Sequence, residues 1–484
     1  MPLIANVGGG GELQSRNIGA DTLINLYYES QTLANSPKRA YLTRTPGLAL
    51  WAVAGDVSCR GCFQQDGRGF AVIGATLYEL DLINNGLTSR GTVANDGLPV
   101  FFSSNGQGGN QLAIAGGGQL KVFNLVTNTL SAAIVLPLTN APGSLLFIDS
   151  YFVLAEKNTL RVWWSALADG TSWNAIDFFA RSQVSDNVVG LLMLHNRILV
   201  YGSQTSQVYY DSGDSLNPFL PYPGTLTQEG AVSPYAMIVM GESSFWLSQD
   251  NQGQRRIVSA SDYAPERIST PAIDNALAGY SSVNDCETLA YELIGHQMVR
   301  FTFPKAGIAW EYDVREQLWH QCAHWDQQHG TFDRPRPRGQ CSSDQGLIVG
   351  DYENACLYYL SPTAYTDNGD LIRWARRAPY LSAENQWIFI DEIEQGIESG
   401  VGLDGDETNP QIQLSISRNS GHSWEAPLSA GMGRSGDYNA RALWRRLGRV
   451  RADRLVVEES GTAPVKTILG PGMFVRATPG TGQL

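Results

Sequence analysis

The side chains best suited to do chemistry are few. His320-Gln-Cys322-Ala-His324 is the densest run of metal-ligand types in the 484 residues, with His329 and Cys341 beyond it. On a strand, alternate residues share a face, so His320, Cys322 and His324 could offer three zinc ligands together. Trp319 and Trp325 flank the run, and strand faces so rich in aromatics hold packed histidines. The expectation is therefore a core without metal. Cys59-Arg-Gly-Cys62 has the spacing of a redox dithiol or half a zinc site, but no second CxxC and no βαβ setting accompanies it. It reads as a hairpin with two buried thiols. No GxSxG nucleophile turn is present, and the glycine runs Gly8–Gly11 and Gly116–Gly118 lack the Lys-Ser/Thr of a phosphate loop. No catalytic residue, cofactor or metal is assigned.

The strongest charge feature is a run of arginines: Arg434, Arg441, Arg445, Arg446, Arg449, Arg451 and Arg454. Seven guanidinium groups within 21 residues of an acidic chain exceed what a solvated face needs. Arg and Trp dominate interface hot spots, so Arg441, Trp444, Arg445, Arg446, Arg449 and Arg451 are the candidate subunit contact. Strand alternation would put Arg445, Leu447, Arg449 and Arg451 on one face, with Trp444, Arg446, Gly448 and Val450 on the other.

The elements that must carry these residues are strands. Charged residues make up only 17%, Gly numbers 51, and hardly any stretch keeps a helical apolar stripe for three turns. A doublet recurs instead: a short apolar strand, a Gly- or Asn-rich turn, and a strand rich in Tyr, Trp and Val. Its copies begin at Phe70, Leu112, Phe152, Ile198, Phe245, Val299 and Leu347. A period of about 40–50 residues is that of propeller blades. The expected fold is all-β: a propeller of six or seven blades over 41–365, preceded by an N-terminal arm or strand (1–40) and followed by a β-sandwich (366–484). The turn-prone stretch Val401–Pro410 divides the sandwich strands. No run of 18 apolar residues or basic-plus-apolar leader is present, so neither membrane insertion nor a signal peptide is expected. Six scattered Cys suit reduced, cytosolic synthesis. With 34 basic against 47 acidic residues and a formal charge of −13, the chain lacks the footprint of a protein that grips phosphates. Of the basic residues 29 are Arg and five Lys, a bias that suits planar, lasting ion pairs.

Ser417-Arg-Asn419-Ser-Gly421-His-Ser423-Trp424 resembles the Asp-box hairpin turn of sialidases, with Asn in the Asp place. That likeness keeps a carbohydrate-binding or sialidase-like propeller as the alternative function. A broader resemblance is carried by Asn25-Leu-Tyr-Tyr-Glu29, Tyr41-Leu-Thr-Arg-Thr-Pro46-Gly47-Leu48 and Trp164-Ser-Ala-Leu-Ala-Asp169-Gly170-Thr-Ser-Trp173. Asn196 to Gly202, Val208 to Gly213 and Leu443-Trp444-Arg-Arg-Leu-Gly448-Arg449-Val-Arg451 extend it. In this order they resemble the packaged-DNA stabilisation, or tail accessory, proteins of short-tailed bacteriophages. The resemblance implies a virion tail component made in the host cytoplasm, not an enzyme. It implies a six-fold ring, a nozzle or hub below the portal and its adaptor, that prolongs the channel for double-stranded DNA and helps retain the genome. Its implied partners are its own copies as a homohexamer, the portal-adaptor ring, a tail needle, and a tail fibre or tailspike.

Overall fold

In the computed structural model the described residues are 3–5, 10–14, 21–30, 40–55, 57–181, 183–250, 252–377, 386–401 and 409–479. Parts of the Gly8–Gly11 run and of Val401–Pro410 lie outside them. The described residues form a β-propeller of seven four-stranded blades joined to a β-sandwich. The innermost strands are Cys59–Gln65, Phe101–Ser104, Pro142–Ile148, Val188–Leu194, Met237–Met240, Glu287–Leu293 and Pro337–Ser343, and they pack in ring order. Each sequence doublet is the middle hairpin of a blade. Those two strands are covered on both faces, which is why they read as continuous apolar runs.

Every seam between neighbouring blades has its own apolar cluster. In the strand Gln111–Gly116, Leu112 and Ile114 pack toward blade one, while Ala113 and Ala115 pack toward blade three. Large side chains on one face and small ones on the other suit wedge-shaped blades packed around an axis. The ring is closed by a strand from the chain's start: Gly47–Val53 pairs antiparallel with Cys356–Ser361 and becomes the outer strand of blade seven. The closing seam holds Trp51, Cys59, Ala71, Ile73, Cys341, Ile348 and Leu357.

The sandwich draws on both ends of the chain. One sheet runs Leu26–Ser30, Ala40–Arg44, Ile468–Pro479, Trp387–Ile397 and Ala442–Arg451, with Leu3–Ala5 also pairing on Ile468–Pro479. The other runs Thr22–Ile24, Trp374–Arg377, Val456–Gly461, Gln411–Ser417 and Leu428–Gly431, and it is continuous with blade six. The expected segments 1–40, 41–365 and 366–484 follow chain order, whereas the sheets cross both boundaries. Residues 22–30 serve the sandwich, and so does Ala40–Arg44. Pairing between strands hundreds of residues apart leaves no periodic signal in either segment.

Two side chains hold this junction. Asn25, at a positive φ of 54°, donates its amide to the carbonyls of Ala323 (2.8 Å) and Arg373 (2.7 Å) and accepts from the Ala323 N–H (2.9 Å). Arg44 is buried and donates to four backbone carbonyls: Ala463, Val465, Tyr365 and Ile372, at 3.0–3.2 Å.

Candidate functional site

The arginine segment is the strand Ala442–Arg451, at the edge of the first sandwich sheet. Its alternation is broken. Pairing with Trp387–Ile397 slips between Ile390 and Glu392, and Arg446 (φ 60°) and Gly448 (φ 82°) both take left-handed backbone. An extra residue at such a bulge reverses the facing of everything after it. Arg445, Arg446 and Arg449 therefore all point outward, and Leu447 points into the core. This corrects the expected split, in which Arg446 opposed Arg445 and Leu447 accompanied it. Trp444 is also inward: it lies in the sandwich core and donates its indole N–H to the Leu428 carbonyl (2.9 Å). Trp444 is thus a packing residue and leaves the candidate contact set. Arg418 clamps the irregular strand, donating to the carbonyls of Leu447 (2.6 Å) and Arg449 (2.9 Å).

Arg441 and Arg445 are pre-positioned by carboxylates on the adjoining strand, and Arg451 by one in the turn that follows its own strand. Arg441 pairs with Glu394 (2.7 Å), Arg445 with Glu392 (3.1 Å), and Arg451 with Asp453 (3.4 Å). Arg449 stacks on the Trp387 ring with its guanidinium carbon 4.0 Å from the centroid. The same face exposes Trp387 (39%), Phe389 (44%) and Phe474 (43%). Sequence reasoning missed these three aromatics, although the alternation Trp387-Ile388-Phe389-Ile390 marks an outward apolar row. An exposed sheet face that interleaves aromatics with arginines has the composition of a protein contact.

The ligand-type cluster resolves differently. His320 and Cys322 do share a face, and both meet the Glu311 carboxylate, at 2.9 Å and 3.4 Å. Arg300 donates to the other oxygen of Glu311 (2.7 Å), and the Tyr291 hydroxyl donates at 2.9 Å. His324 departs from the expected trio. The strand breaks at Ala323, and His324 turns to Asp367 (3.3 Å) and Arg336 (3.3 Å). Burial would push the Glu311 carboxyl up, but the Arg300 charge and the His320 hydrogen bond outweigh it and hold it well below the usual carboxylate range. A guanidinium already neutralises the carboxylate, so the donor set is that of a closed polar network and not of a cation site.

The Asn419 turn has the geometry its sequence implies. Asn419 Oδ1 accepts from the Ser423 N–H (2.8 Å), the Gly421 N–H donates to Ser417 Oγ (2.9 Å), and Gly421 sits at φ 84°. The turn joins Gln411–Ser417 to Leu428–Gly431 in the sandwich, outside the propeller. It stabilises a hairpin and gives sugar chemistry no support.

Many of the arginines are internal fasteners. Arg60 donates to the carbonyls of Leu98 (2.7 Å), Gly74 (3.2 Å) and Ala94 (2.7 Å) and to Asp96 (2.7 Å). Arg376 bridges Glu459 (2.8 Å), Gln395 (2.7 Å) and the Gly470 carbonyl (2.9 Å). A planar fork can satisfy several carbonyls at once, which a lysine ammonium does less well. On the propeller axis, Phe101 of blade two stacks on Tyr235, next to blade five, with centroids 5.1 Å apart.

Comparison with known families decides the matter. Residues 14–365 match the model described as "Bacteriophage P22 Gp10, beta-propeller", and residues 373–456 match "Bacteriophage P22 Gp10, beta-sandwich". The chain belongs to the bacteriophage P22 Gp10 family. Family membership makes it a phage tail structural protein and a component of the virion. No curated protein matches the chain. Among solved structures it is similar to a chain of the mitotic checkpoint complex (9% identity, 65% of this chain and 94% of that one, TM-score 0.43). It is also similar to the N-terminal domain of Nup159 (10%, 70% and 98%, 0.40). A third likeness is to the extracellular domain of BT4673 from B. thetaiotaomicron (10%, 82% and 47%, 0.42). At these scores none of the three bears on function.

Proposed function

We propose that this Gp10-family chain is a ring subunit of the tail nozzle or hub below the portal and adaptor. Six copies prolong the channel for double-stranded DNA, help retain the packaged genome, and dock a tail needle and fibres or tailspikes. The chain is made in the host cytoplasm and is not an enzyme. The observation that carries the reading is the match of both the propeller and the sandwich to one phage tail family, in order along one chain. The stacked Phe101–Tyr235 pair on the propeller axis favours a DNA path between subunits over one through a single propeller. A net charge of −13 suits a wall along which a polyanion slides.

Within this reading, Arg441, Arg445, Arg446, Arg449 and Arg451, with Trp387, Phe389 and Phe474, form the contact with a neighbouring subunit or the adaptor. The test mixes the purified chain with the adaptor ring from the same genome and images the product by electron microscopy. A six-fold ring on the adaptor is expected. Arg445→Ala with Arg449→Ala should weaken it at least tenfold while the isolated chain melts normally, whereas Trp444→Ala should lower the melting temperature. A chain that stays monomeric with adaptor present overturns the ring, and wild-type assembly of the double variant overturns the contact.

A further inference from the structure

We propose that Cys59 and Cys62 form a redox-closable dithiol, a disulfide staple at the seam where the propeller ring shuts. Residues three apart on a regular strand face opposite ways and lie about 10 Å apart. Here the pairing slips between Cys59 and Gly61: Cys59 faces Ile73, Gly61 faces Val72 and Cys62 faces Ala71. Arg60 is the extra residue of the bulge. Skipping it gives the two cysteines the relation of alternate residues, on one face and about 6.6 Å apart, within the roughly 4.4–6.8 Å that a disulfide spans between Cα atoms. The two sulfurs are already 3.7 Å apart and hydrogen-bonded. No other pair among the six cysteines makes such a contact.

The location gives the pair access and consequence. Cys59 is buried in the blade-seven seam, while Cys62 is half-buried. Cys62 lines an axial cavity of about 180 Å³ with Arg60, Phe101, Tyr235, Glu287 and Arg338. That cavity shares Tyr235, Glu287 and Arg338 with a larger hollow of about 640 Å³, so a small reagent entering along the axis meets Cys62 first. The hydrogen bond from Cys62 favours a thiolate at Cys59 against the opposing effect of burial, and the nearby Arg338 charge adds to it. Across the seam, Gly339 packs against the Gly61–Cys62 backbone and Gly350 against Cys59. A bond between the sulfurs would lock the bulge against which blade seven closes.

The reaction balances with a low-molecular-weight disulfide as oxidant. As the Cys62 sulfur attacks one sulfur of the reagent, its proton passes to the Cys59 thiolate hydrogen-bonded to it; the reagent's S–S bond breaks and one thiolate leaves. Cys59 then gives its proton to solvent and its sulfur attacks the Cys62 sulfur, the mixed disulfide breaks, and the second thiolate leaves. Two protein thiols lose two electrons and two protons, and the reagent becomes two thiols. In a tail protein made in a reducing cytoplasm the pair is open while the ring folds and closed in the released particle. That biological setting rests on the proposed function; the chemistry does not.

The test uses the isolated full-length chain in oxidised glutathione at pH 8, quenched with acid and alkylated, with peptides read by mass spectrometry. The expected result is loss of two of the six free thiols and one peptide, containing both Cys59 and Cys62, lighter by two hydrogens. Cys59→Ser should stop at a glutathione adduct on Cys62, and Cys62→Ser should take up little glutathione while folded. Six free thiols in the folded wild type, or a wild type that stops at the adduct, would overturn the proposal. A failure of ring assembly would leave these readouts untouched.

Discussion

Replacing Arg44 with Met should loosen the sandwich from the propeller. The guanidinium donates to four carbonyls contributed by the end of the propeller (Tyr365), the connecting segment (Ile372) and the sandwich (Ala463 and Val465). Burial draws the Arg44 pKa down to about 10, partly offset by Asp367 and Tyr365, so holding the charge there costs desolvation. In the Met variant that cost disappears, but the bonds to Val465 and Ile372 are fully buried, and those carbonyls find no water. The Ile372 carbonyl is orphaned and the Val465 carbonyl keeps only a 3.4 Å bond from the Thr467 hydroxyl, losses of about 1–3 kcal/mol each. Allowing for the desolvation relieved, the net loss is about 2–4 kcal/mol. Calorimetry and urea titration should show the sandwich melting ahead of the propeller in Arg44→Met, against a single merged transition in the wild type. Arg44→Lys should recover less than half of the loss, because a point charge cannot span four acceptors. A Met variant within 0.5 kcal/mol of wild type, or a Lys variant equal to it, would refute the reasoning.

Glu311 is ionised in the folded chain well below its ordinary range. Its contribution is therefore complete above the unfolded value of about 4.5 and is lost as pH falls below it. Glu311→Gln should flatten the acid limb of the stability curve by up to about 1.4 kcal/mol per pH unit below pH 4.5, and an unchanged limb in chemical denaturation would count against the network. Gly350→Ala should destabilise the closing seam, since a Cβ there would lie 2.3 Å from the Cys59 sulfur; overpacking of this kind costs about 1–3 kcal/mol, read as a lower melting temperature. Duplex DNA should bind weakly at physiological salt with a shallow salt dependence, and a log–log slope of about −6 or steeper in fluorescence titration would contradict the sliding-wall reading. Chelator treatment should change neither folding nor assembly, whereas elemental analysis finding about one zinc per chain, lost together with stability on chelation, would reopen the Glu311 cluster as a metal site.

What could be read without the structure was local. The seven doublets carry the blade period because their strands are buried on both faces, and burial forces apolar runs separated by turns. The Asn419–Gly421 turn was legible because a left-handed glycine and a capping amide act within a few residues. The arginine run reads as a strand, and it is one, but its facing does not follow from the run. Assigning that needed the bulge at Arg446, which is set by pairing with Trp387–Ile397 and by Arg418 reaching across to Leu447 and Arg449. With the bulge, Trp444 and Leu447 both fall inside. The closing strand Gly47–Val53, the placement of Thr22–Ile24 between blade six and the sandwich, and the four-carbonyl grip of Arg44 are tertiary decisions. Each joins groups far apart in the chain, and hydrogen bonds between distant backbones leave no composition or period behind them. The amino-acid sequence by itself determines which segments must be buried strands; only the folded chain decides which strands meet, because that choice is made by partners and not by the segment alone.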